Sequence, residues 1–95
     1  GNKFAPDKLV KREEMAAMMY RAVKVVKPSA DFSIDGAKKF SDEELISPYA
    51  IESIKFMSKN GFIKGLDGGR VDPKGTTTRE QAVIMVTRTY EKYGN

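Results

Sequence analysis

Thr78-Arg79-Glu80-Gln81-Ala82-Val83-Ile84-Met85, introduced by Val71-Asp72-Pro73, repeats a pattern already present in Lys11-Arg12-Glu13-Glu14-Met15-Ala16-Ala17-Met18, introduced by Phe4-Ala5-Pro6. Pro6/Pro73, Arg12/Arg79, Glu13/Glu80, Met18/Met85 and Arg21/Arg88 share a single offset of 67 residues. A fixed internal period marks supersecondary units that bury their apolar faces on one another. A site built from one copy is then expected to recur in the next. The chain opens inside one copy and closes at the end of another, so it reads as a piece of a longer array, about one and a half repeats long.

Working outward, each copy predicts a helix. Met15, Met18, Met19, Ala22, Val23 and Val26 recur at three- and four-residue steps, which makes one apolar stripe on a helix from about Lys11 to Val26, stopped by Pro28. Thr78 and Gln81 fit a capping box at the start of the last helix. That helix is expected to carry Ala82, Val83, Val86, Tyr90 and Tyr93 on one side. Between the copies, residues 27–39 hold Pro, Ser, Asp and Gly with isolated apolar residues, and they read as a linker. Ser41 or Asp42 suits the cap of a short helical turn. Ser47-Pro48 marks a further helix start, with Ser47 as N-cap and Pro48 at the first position. This helix continues through Ala50, Ile51, Ile54 and Met57 to Asn60-Gly61. Phe62-Ile63 is an anchoring pair, residues 65–69 a turn and residues 70–77 a loop. The reading is helix, linker, helix, loop, helix, with little or no strand: an all-α fold of helix-loop-helix repeats packed as a partial pseudo-symmetric bundle.

Composition narrows the function. Ninety-five residues with 40% apolar content support one small core. A charged fraction of 32% and short apolar runs argue against membrane insertion. The chain has no cysteine and no histidine, which excludes disulfides, thiol catalysis and the usual zinc sites, and removes the commonest general base. No metal and no cofactor are expected. A net charge of +4 steers mildly toward anionic partners. The glycines at 61, 65, 68 and 69 lack the Lys-Ser/Thr ending of a phosphate loop, and Asp67 and Asp72 lack EF-hand spacing. The neighbouring acids Glu13/Glu14 and Glu43/Glu44 diverge on a helix and form no acid/base dyad. No nucleophile–base pair stands out, so an enzyme is not expected. Lysines and arginines are dispersed among acids, which disfavours a nucleic-acid stripe.

Arg12 and Arg79 occupy first-turn positions, where a cation opposes the helix dipole. A locally unfavourable residue that recurs points to another role. A guanidinium beside free helix N–H groups makes a carboxylate site. Asp42 suits a helix cap or a hydroxyl partner, and Tyr49 offers either a core ring or an exposed ring face.

The spaced motifs together resemble the S-layer homology repeat: Phe40-Ser41-Asp42, Tyr49-Ala50 with Ile54, Gly61-Phe62-Ile63-Lys64-Gly65, Val71-Asp72-Pro73 and Thr78-Arg79-Glu80. The resemblance covers one whole repeat over residues 40–95 and the second half of a preceding one over residues 1–26, joined by the linker 27–39. Tyr49 stands where Trp is frequent, Val71 where Phe is frequent, and Lys11 where a Thr cap is usual. The resemblance implies noncovalent anchoring of secreted proteins at the bacterial cell surface. The implied ligand is a secondary cell wall polysaccharide, often pyruvylated, held in grooves between repeats. The implied ligand-binding residues are Arg12, Arg79, Asp42, Glu80, Tyr49 and Gly65. A structural assembly module is the alternative. One and a half repeats leave part of an inter-repeat face uncovered, and the Met15/Met18/Met19 stripe is the expected place for self-association into a homo-oligomer.

Overall fold

In a computed structural model, which describes residues 8–63 and 67–94, three helices pack together and a short strand pair joins the starts of two of them. The order is β1 (Leu9–Lys11), α1 (Arg12–Val26), α2 (Ile51–Lys59), β2 (Thr76–Thr78) and α3 (Arg79–Tyr93). Two single 3-10 turns, Glu43–Leu45 and Pro48–Ala50, lead into α2. The mostly helical content agrees with expectation, but the antiparallel strands do not. Leu9 pairs with Thr78, Val10 with Thr77 and Lys11 with Thr76. Strands of three residues are too short to display period-two alternation, and only the long-range meeting of the two copies creates them.

The strand pair joins the two helix starts in matched fashion. Arg12 N–H donates to Gly75 C=O at 2.8 Å, and Arg79 N–H donates to Lys8 C=O at 2.7 Å. Exchanging the two copies turns one bond into the other, because Arg79 is the counterpart of Arg12 and Gly75 that of Lys8. Each helix thus begins with its first donor satisfied by the other copy, where an orphan N–H would otherwise need a side chain or water. Glu13 N–H adds a bond to Pro73 C=O at 3.1 Å. Lys11 has no side-chain acceptor, and Glu14 compensates by accepting from Lys11 N–H at 2.7 Å. At α3 the Thr78 hydroxyl caps Gln81 N–H at 3.1 Å, as the capping pattern predicts.

Helix α1 is the centre of the molecule and buries two faces. One joins Met15, Met19, Tyr20 and Val23 to Phe56 and Met57 of α2 and Ala82 of α3. The other places Ala16 against Phe40, Ile46, Ala50, Ile54 and Val71. The methionine stripe is therefore not an uncovered face. Met15 and Met19 are buried and Met18 half-buried, because α2 and α3 close over them.

The register of α3 also departs from expectation. Ala82 and Thr89 are buried, and Met85, Val86 and Tyr93 pack inward. Val83 and Tyr90 instead face outward, 43% and 42% exposed. Thr89 hides its polarity by donating its hydroxyl to Met85 C=O at 2.9 Å, so its methyl can enter the core where a polar residue is not expected.

Residues 27–39 are irregular yet packed. Ala30, Phe32 and Ile34 lie on the core, and the Phe32 ring sits 5.7 Å from Tyr20 and 5.2 Å from Phe56. The edge-on geometry with Tyr20 is the favoured one for aromatic pairs. Phe32→Ala should therefore lower unfolding stability by about 2–3 kcal/mol, somewhat under the loss for a fully buried phenylalanine. Denaturant titration checks this, and a loss indistinguishable from zero would make the segment a bystander.

Candidate functional site

A cavity of about 230 Å3 opens between the start of α1, the end of α2 and the inner face of α3. Met15, Ile54, Phe62, Ile63, Val71 and Met85 give it apolar walls, and Arg12, Thr77 and Gln81 supply the polar groups. Arg12 is half-buried, and its Nε is buried with no hydrogen-bond partner among the described residues. An unpaired buried donor is costly, so this nitrogen is a standing demand for an acceptor. Gln81, read from the sequence as the reaching half of a capping box, lines this cavity. Thr77, which lines the cavity from β2, had no sequence signal, because the strand itself had none.

A second cluster gathers around Glu13, the residue after Arg12. Glu13, 2% exposed, accepts from Ser47 N–H at 2.9 Å, from the Ser47 hydroxyl at 2.7 Å and from Lys74 at 2.9 Å. Lys74 also donates to the Ser47 hydroxyl at 2.6 Å. Burial pushes the Glu13 carboxyl up, but the bonds from Lys74 and Ser47 outweigh burial and hold it below the usual range. Ser47 is thus not the side-chain cap of the following turn, because its hydroxyl is spent on Glu13.

Asp42 is likewise drawn away from capping. Its two carboxylate oxygens accept from Val71 N–H at 2.9 Å and Asp72 N–H at 2.8 Å. Burial raises its carboxyl, and these two backbone donors more than reverse the effect. The clamp fixes a strained loop: Asp72 has φ of 54°, uncommon for a residue with a side chain. Asp42 does not line the cavity but grips the backbone of Val71, which does.

The remaining expected site residues scatter. Arg79 and Glu80 lie exposed on the first turn of α3, away from the Arg12 cavity lining. The two arginines are equivalent in backbone and different in surroundings, since only α1 is covered by residues 40–57. Tyr49 is 58% exposed and borders a shallow groove with Glu14, Ala17, Met18 and Arg21. Arg21 belongs to the repeated set in the sequence, but nothing there set it beside Tyr49. Gly65 lies outside the described residues. Among the described residues no group of acidic side chains could hold a metal ion, and no helix is long and apolar enough to cross a membrane.

The three helices and the cavity among them define a small, mostly helical module. Residues 39–83 match the S-layer homology domain, and this part of the chain belongs to that family. It is 33% identical over 95 residues to an amylopullulanase of Thermoanaerobacterium thermosulfurigenes, covering 100% of this chain and 5% of that protein. It is 30% identical over 95 residues to the exoglucanase XynX of Acetivibrio thermocellus, covering 100% of this chain and 9% of that protein. An endoglucanase of Bacillus sp. (strain KSM-635) is 27% identical over 84 residues, 88% of this chain and 9% of that protein. The chain therefore spans a small part of each relative. No solved structure matches. The S-layer homology domain is generally a non-catalytic, cell-wall anchoring module of surface proteins.

Asp42→Ala removes two charge-assisted bonds and should cost about 2–3 kcal/mol of stability, a structural loss visible in the absence of any ligand. Glu13 and Asp42 also set the acid response. Their carboxyls are lowered in the folded state, so their stabilisation is present above the ordinary values of 4.5 and 3.8 and is lost as pH falls through the lowered ones. Stability measured from pH 6 to pH 2 should fall mainly below pH 4.5, and Glu13→Gln should flatten that fall. An identical slope in the variant would remove Glu13 from this account.

Proposed function

We propose that this chain is a noncovalent cell-wall anchoring module at the bacterial cell surface, binding a secondary cell wall polysaccharide through the Arg12 cavity. The observation that carries the reading is the buried Arg12 Nε without a partner, set in an apolar cavity of a family whose general role is anchoring. The relatives are an amylopullulanase and two glucanases. What this chain shares with them is confined to at most 9% of their length, which favours a shared module over shared catalysis.

The chemistry suits an acidic substituent with a small apolar part. Arg12 offers a guanidinium donor to a carboxylate, and Thr77 and Gln81 add neutral hydrogen-bonding groups. Met15, Ile54 and Met85 accept a methyl or ring edge. Ketal-linked pyruvate combines a carboxylate and a methyl on one carbon and fits that division. The exposed Tyr49 ring, with Arg21 beside it, offers a second contact for a sugar ring. Asp42 supports the reading indirectly, by holding the Val71 wall, and Arg79 contributes positive charge from α3.

Binding to purified cell wall sacculi tests this. Arg12→Gln keeps a neutral N–H donor near the position of Nε, shortens the side chain and removes the charge. Loss of one charge-assisted bond, about 1.5–3 kcal/mol, should weaken binding by very roughly 10- to 150-fold. Stripping the secondary polymer from the sacculi should abolish binding, and removing pyruvate should mimic Arg12→Gln. Unchanged binding by a folded Arg12→Gln protein would reject the cavity as the ligand site.

A further inference from the structure

The chain has five methionines, and burial sorts them. Met19 and Met57 are fully buried, and Met15 is nearly so. Met18 and Met85, which the repeat offset relates, are half-buried. Met85 stands on α3 and lines the open cavity together with Arg12. Met18 lines the shallow groove with Tyr49 and the exposed Arg21. The two thioethers thus have similar access and different company. Arg21 is exposed to solvent, whereas Arg12 carries a buried Nε–H with no acceptor among the described residues. A thioether is a weak acceptor and does not answer that donor. Its sulfoxide is polar and carries an oxygen acceptor in its place.

We propose that Met85 is a peroxide-sensitive modification site, whose sulfoxide oxygen accepts the Arg12 Nε–H and closes the cavity to its ligand. The cavity of about 230 Å3 has room for hydrogen peroxide, a molecule little larger than water. The Met85 sulfur lone pair attacks one peroxide oxygen. An S–O bond forms as the O–O bond breaks, and the departing hydroxide takes the proton of the transferred oxygen and leaves as water. Sulfur gives up two electrons and the peroxide takes them. Met15 lines the same cavity but is more deeply buried, so the oxidant reaches Met85 first. A sulfoxide set into an apolar wall is ordinarily disruptive, because a buried polar group without a partner is costly. Here one donor already lacks an acceptor, so each group relieves the other's cost. The unbranched methionine side chain has three rotatable bonds with which to turn its oxygen toward Arg12. Closure of the site to polymer rests on the reading of the cavity as the ligand site, whereas the capture of Arg12 by the sulfoxide does not.

The test treats the 95-residue chain with dilute hydrogen peroxide, maps the added oxygen by peptide mass and follows the Arg12 Nε–H by NMR. Met85 and Met18 should gain oxygen before Met15, Met19 and Met57. As Met85 converts, the Arg12 Nε–H proton should move downfield and its exchange with solvent should slow by at least ~10-fold, as one new hydrogen bond implies. Met85→Leu conserves volume and should abolish both changes although Met18 still oxidises. Met85→Gln sets an amide oxygen where the sulfoxide oxygen stands and should give the same shift without oxidant. Sacculus binding by the oxidised chain should weaken by at least ~10-fold, and a methionine sulfoxide reductase should restore it. Oxidation of Met85 no faster than that of the buried methionines, or an unchanged Arg12 Nε–H in both the oxidised and the Met85→Gln chains, overturns the proposal. Loss of the folded spectrum on oxidation of Met85 also overturns it, because the sulfoxide would then have no place in the cavity. A shifted Nε–H with unchanged sacculus binding supports the capture of Arg12 and rejects the cavity as the polymer site.

Discussion

One buried carboxylate ties the molecule together. Glu13 sits on the first turn of α1, where negative charge is favoured by the exposed helix N–H groups. Its oxygens bind the start of the second helical segment through Ser47 and the loop before β2 through Lys74. A buried carboxylate without partners would cost several kcal/mol. Every element that keeps Glu13 satisfied is thereby held in register with α1. Lys74 remains half-exposed, so the pair loses only part of its hydration, and the two Ser47 donors complete the shell.

The outer parts of the fold follow from that fixed point. With Ser47 docked, Ala50 and Ile54 fall on Ala16, and α2 turns Phe56 and Met57 toward Met19 and Tyr20. Phe32 then closes over the aromatic cluster, and the Tyr20 hydroxyl binds Glu52 at 2.9 Å. Burial and this acidic partner push the Tyr20 phenol up to about 12, so it stays a neutral donor at any physiological pH. The Asp42 clamp does for the loop at 71–72 what Glu13 does for the helix start. The carboxylates of greatest structural use are thus consumed inside the fold, and an arginine nitrogen is what the cavity leaves unmatched.

The helices were legible in the sequence because their apolar residues recur at helical spacing and their ends carry Thr78, Pro48 and Asn60-Gly61. Membership of the S-layer homology family was legible because several weak motifs stand at fixed separations. What escaped notice was long-range. The β1–β2 pair has three residues on each side, the Phe32 contact arises in a segment with loop composition, and Thr89 enters the core by hiding its hydroxyl locally. Asp42 and Ser47 stood at positions suited to caps, but tertiary donors and acceptors competed for them and won. The recurrence of Arg12 and Arg79 was visible, whereas their different burial depends on which helix the segment 40–57 covers.

The contact of Ala30, Phe32 and Ile34 with the core has a consequence for where the chain can be divided. By motif, one copy closes before Phe40 and the next begins there. By packing, the tail of the first copy and the head of the second share aromatic rings and a buried carboxylate. The motif boundary before Phe40 therefore does not coincide with a boundary in the packing. Recombination or shuffling at the motif boundary would cut a core in two and strand Glu13 without its donors. A cut within the turn-forming residues after α2 would divide fewer contacts. A unit that must fold alone is better bounded by the segments that bury one another than by the place where its motif starts.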